Sequence, residues 1–141
     1  MDQVIGAGGI DANLAPDAFH RWAADYYKCK QDFQPPHTFS PVPYFLLCRA
    51  IELEIKSTHL RHMTQPQVKA KFGHKLLKAY DALDSAERTL TPSEESILRS
   101  ANNIYSDKGF EYFDPGDALT AYSRYPDLTL LDAIARKLIG I

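Results

Sequence analysis

Three of the chain's five histidines, His59, His62 and His74, fall within residues 54–78, EIKSTHLRHMTQPQVKAKFGHKLLK. The same stretch carries six Lys/Arg and, beyond Glu54, no acid. Metal binding is the first chemistry to weigh. His59 and His62 stand three apart, a spacing at which two helical imidazoles can share an ion, and His74 follows twelve residues later. No Asp, Glu or Cys lies close in sequence to complete a tetrahedral set, and the surrounding cations repel a divalent ion. No metal is expected, and these histidines read as exposed or capping residues.

A second constellation lies just upstream. Glu52 and Lys56 stand at i, i+4 in the order that favours an ion pair on a helix. A structural pair is the plainer reading. Yet the two charges fall between apolar arcs, where an unpartnered charge is expensive, so they need partners from another helix, another subunit or a ligand. His74 follows Gly73 at the expected start of a later helix, where the positive end of the helix dipole favours a neutral ring. A packing or capping role is the commoner fate of such a histidine.

The elements that must position these groups are helical. Pro16 and Asp17 suit the first turn of a helix reaching about Phe33, with Phe19, Trp22, Ala23, Tyr26 and Tyr27 as its apolar set. The four prolines of QPPHTFSPVP then impose a non-helical connection. From Tyr44 to about His62, Tyr44, Cys48, Ile51 and Ile55 form one arc and Leu46, Leu53 and Leu60 another. A narrow stripe of Arg49, Glu52, Lys56 and His59 runs between them, so this helix is packed on two sides.

Thr64 caps a short turn that Gly73 ends, and a helix from about His74 to Ala86 follows. Thr91, Pro92 and Glu94 spell a capping box. A helical turn at Ala118–Tyr122 and a last helix ending at Gly140 complete the chain. The fold class expected is all-α, an antiparallel bundle of five to six helices, with residues 1–14 a flexible leader and 15–141 one domain.

Composition sets outer bounds. A net charge of −2 gives no bulk reason to expect nucleic-acid binding. The distribution is more telling: residues 81–141 carry eleven acids against six Lys/Arg, leaving residues 56–80 as a basic tract that hints at a partner-facing surface. GAGGID is not a dinucleotide fingerprint, since Asp11 stands where the third glycine belongs, and no cofactor is expected. Cys29 and Cys48 are isolated, no basic-then-apolar leader precedes them, and no stretch approaches the roughly 20 apolar residues of a membrane span. A soluble cytoplasmic protein is the expectation. The aromatics Tyr105, Phe110, Tyr112, Phe113, Tyr122 and Tyr125 read as loop packing or a subunit interface before a base-stacking platform.

RAIELEIKSTHL followed by GHKLLKAYDAL resembles the HEPN superfamily, small helical-bundle domains that often dimerise. The shared features are Glu52 and Lys56 within an apolar helix, then Gly73-His74 opening a leucine-rich one; SRYPDL, with Arg124 and Tyr125, is similar to a late Arg-Tyr element. The resemblance implies an up-and-down bundle, a homodimer, and one of three activities. Some members are metal-independent RNases, some bind RNA or nucleotides without catalysis, and some pair with nucleotidyltransferases in toxin–antitoxin systems.

Nuclease members carry an arginine a few residues ahead of a histidine, and here no histidine has one at that distance. Lys69 stands ahead of His74 instead, a charge without arginine's planar fork. The expectation is therefore non-catalytic binding of RNA or nucleotide phosphate by Arg49, Glu52, Lys56, Lys69, Lys71, His74 and Lys75. The alternatives are an RNase using His74 with Lys69 or Arg49, and an interaction module for a partner protein.

Overall fold

The computed structural model describes residues 4–7 and 10–141, with side chains from residue 13 onward. Residues 14–141 are all-helical. Among the described residues there are seven helices: α1 (Ala15–Asp32), α2 (Val42–His59), α3 (Gln65–Phe72), α4 (Leu76–Asp81), α5 (Pro92–Tyr105), α6 (Pro115–Leu119) and α7 (Leu128–Ile139). The count exceeds the five to six expected because the Thr64 turn is a helix in its own right, and the turn expected at Ala118–Tyr122 is a helix placed earlier, at Pro115–Leu119, with Ala121 and Tyr122 at positive φ.

The segment read as a flexible leader carries a two-stranded antiparallel hairpin, β1 (Val4–Ala7) with β2 (Ile10–Asn13), Val4 opposite Asn13. Asn13 Nδ2 donates to the Leu60 carbonyl at 3.1 Å, fixing this end of the chain to the C-terminus of α2.

α2 is the central element. Eleven of its 18 residues are buried, on more than one face, as two apolar arcs require. α1 lies antiparallel along it, cross-linked at Ser57 Oγ to the Pro16 carbonyl (2.6 Å) and at His20 Nδ1 to Glu54 (2.7 Å). α2 also packs against α7, and Leu47 and Ile51 of the one and Leu131 and Ile134 of the other are closed off from solvent. Cys48 is wholly enclosed; burial first, then the nearby Glu52 charge, pushes its thiol pKa up. Cys29, on α1, is exposed.

Local start and stop signals act where the sequence places them. Thr64 and Thr91 each form a complete capping box, with Gln67 and Glu94 returning the bond. Gly73 ends α3 at φ 53° and Gly140 ends α7 at φ 88°, both left-handed positions that glycine tolerates best.

α4 departs from expectation, starting at Leu76 and stopping at Asp81. Its first amides are capped from another helix: Asn102 Oδ1 of α5 accepts from Leu76 N (2.9 Å) and Leu77 N (3.4 Å). At its other end Tyr80 is fully buried and its hydroxyl accepts from Leu90 N at 2.9 Å, which requires the chain to reverse soon after Asp81.

Candidate functional site

The stripe of α2 becomes a site because one carboxylate gathers it. Glu52 is 3% exposed and accepts from four side chains. Lys56 Nζ donates at 2.8 Å, Arg49 Nη1 at 3.1 Å, Tyr105 Oη of α5 at 2.5 Å and His74 Nδ1 at 3.0 Å. Lys56 and Arg49 reach it from one turn either side on the same helix; Tyr105 and His74 arrive from chain far downstream. Burial by itself would push the Glu52 carboxyl up, but the bonds from Lys56, Tyr105 and His74 outweigh it and hold the group below its ordinary range. Tyr105 moves the other way. Burial first, then the Glu52 charge, raises its phenol far above the usual value, so it stays a neutral donor.

Lys56 has a second duty. Its Nζ donates to the Gly73 carbonyl at 2.5 Å, tying α2 to the turn between α3 and α4. That turn carries His74, which lies two residues ahead of α4 and not in its first turn as expected. The ring is therefore positioned by its bond to the Glu52 carboxylate and is not part of a helix start. Its side chain is 62% exposed, so an imidazole anchored through Nδ1 presents its remaining edge to solvent.

These groups line one wall of a groove of about 990 Å³. Arg49, Glu52, Lys56, Lys69, Gly73 and His74 share that wall with apolar Leu53, Leu60, Pro66 and Val68, and α1 contributes Phe19, Trp22, Asp25 and Tyr26. Arg49 bridges the two, its guanidinium 5.9 Å from the centre of the Tyr26 ring. Arg49, Lys56 and Lys69 outnumber Glu52 and Asp25, so the side chains of the groove carry an excess of positive charge.

Two of the expected ligand residues do not join it. Lys71 lies over the Phe72 ring, 5.5 Å from its centre, and lines a separate depression with His59 and His62. The cause is helical geometry: residues two apart on a helix face different directions, so Lys69 and Lys71 cannot share one groove. Lys75, the residue before α4, is exposed and outside the groove lining.

His59, the last member of the α2 stripe, is a packing residue. Its Nε2 pairs with the Ala79 carbonyl at 2.8 Å and its ring lies 4.5 Å from that of Phe72. Among the described residues no group of three His, Cys, Asp or Glu is placed to hold a metal. Arg124 and Tyr125 also lie elsewhere. Arg124 makes a two-pronged pair with buried Asp117 at 2.6 and 2.8 Å. Tyr125 packs edge-on to Phe39 and Tyr44, each centre 5.1 Å away.

Sequence reasoning missed the facing wall. Phe19, Trp22 and Tyr26 have core-like helical spacing, yet Trp22 is 49% exposed and the other two are half-buried. Tyr105 was legible only as one of a crowd of aromatics; nothing local ties it to Glu52, 53 residues away. Comparison of the chain with known protein families, with curated proteins and with solved structures finds no match.

Proposed function

We propose that the chain is a HEPN-like helical bundle that binds RNA or nucleotide phosphate in the α1–α2–α3 groove without cleaving it. The observation that carries this reading is the convergence of Arg49, Lys56 and His74 on one buried carboxylate at the wall of a groove that Lys69 also lines. Glu52 itself is saturated and cannot meet a ligand. Its part is to hold the Arg49 and Lys56 cations at fixed positions, so that little side-chain freedom is lost when an anion arrives.

Phosphate contacts release counterions, and single-stranded binding weakens with salt at a log–log slope of about −0.7 per phosphate neutralised. With two or three groove cations engaged, affinity for a labelled single-stranded RNA should fall about tenfold between 50 and 200 mM salt. Lys69→Ala should weaken binding and flatten that slope. Salt-independent binding, or none at low ionic strength, would refute the reading.

One observation favours a catalytic second reading. An imidazole held by a buried carboxylate through Nδ1, with its other edge exposed, is arranged as a general base is. Against it, RNA transesterification needs a proton removed at the 2′-hydroxyl and another delivered at the 5′-oxygen, and the groove of one chain offers a single imidazole. Cleavage of RNA in EDTA, abolished by His74→Ala, would promote the RNase reading; intact RNA would retire it.

A further inference from the structure

The groove's lining is mixed. Arg49, Lys56, Lys69 and His74 stand beside apolar Leu53 and Val68, while α1 brings Phe19, Trp22 and Tyr26 with the Asp25 carboxylate among them. Phe19 and Trp22 lie against each other at 5.6 Å between ring centres, tilted by 38°, while Trp22 stays 49% exposed. A slot for a bare phosphate gains nothing from an indole left half in water, and Asp25 works against any anion. Both features become useful if the ligand carries a flat π face and N–H or O–H donors beside its phosphate.

We infer that the α1 wall is a base subsite: one nucleobase stacks on Trp22, and Asp25 accepts from a base N–H or a ribose hydroxyl. The phosphate of the same unit rests against Lys69. The inference rests on the phosphate-binding reading and narrows it to a class, a ribonucleoside 5′-phosphate, either free or as the unpaired unit of an RNA strand. Size agrees. The groove's volume of about 990 Å³ lies at the upper end of small-ligand sites. Stacking on an aromatic side chain is also indifferent to strand length, since every base offers the same kind of face.

The chain has a single tryptophan, so its fluorescence reports on the subsite directly. AMP, ribose 5-phosphate, single-stranded oligoadenylate and duplex RNA are the probes, with fluorescence and calorimetry as readouts. AMP should quench Trp22 and bind about tenfold or more tightly than ribose 5-phosphate, the range expected for one stacked base being about 5- to 100-fold. Trp22→Ala should erase that advantage and leave ribose 5-phosphate binding unchanged; Trp22→Phe should keep much of it.

Tighter binding of oligoadenylate than AMP, still dependent on Trp22, assigns the subsite to RNA, whereas preference for AMP assigns it to free nucleotide. Equal, salt-sensitive binding of AMP and ribose 5-phosphate overturns the base subsite while the phosphate reading stands. Absence of binding to all four probes overturns both.

Discussion

At the scale of single residues, the fold of the site depends on Glu52. Removing one member of a buried ionic set leaves the others charged and unpartnered, which costs about 3–5 kcal/mol. Glu52→Ala should lose stability of that order in urea unfolding, since the nearly buried Lys56 and the adjoining Arg49 would be left with no anion between them. Glu52→Gln, which still accepts hydrogen bonds, should lose less.

The same carboxylate predicts a pH dependence. Its pKa is lowered on folding from an ordinary value of 4.5, so its stabilisation is complete above that value and is lost as pH falls below it through the folded pKa. The wild type should therefore lose more stability than Glu52→Gln between pH 5 and 3. Parallel profiles for the two would show that the carboxylate's charge does not matter to the fold.

At the scale of elements, α4 shows where local rules stop. A cap supplied by Asn102 from another helix holds its start, and so leaves His74 outside the helix and within reach of Glu52. Asn102→Ala should cost about 1–2 kcal/mol, as lost caps and stranded amides do, and should raise amide exchange at Leu76 and Leu77 selectively. Unchanged exchange at those two positions would mean that water replaces the cap without loss.

The contrast with α3, α5 and α7 is instructive. Thr64, Thr91 and Gly140 act on their own neighbours, so those boundaries could be read from sequence. The α2 stripe was legible for the same reason, because i, i+3 and i, i+4 spacing is local. The cap on α4, the Tyr105 bond to Glu52 and the aromatic wall of α1 are all set by packing between distant segments. Periodicity marks Trp22 as facing the same side as Phe19 and Tyr26, but cannot say whether that side meets a neighbour or a groove.

At the scale of the whole molecule, stability is concentrated on α2, which α1 and α7 enclose. Leu47 is fully buried there, and Leu47→Ala should cost about 2–5 kcal/mol through lost burial and the cavity left behind. A thermal shift of only a degree or two would show that the neighbouring helices collapse into the space.

The two thiols then give the chain a built-in stopwatch. Cys29 meets solvent, while Cys48 sits sealed inside the same helix that carries the ionic seam. A maleimide should therefore modify one sulfur at once and the second only as often as the interior comes apart. Mass spectrometry of that delayed second adduct would clock how frequently the molecule opens in plain buffer, without denaturant or an engineered cysteine.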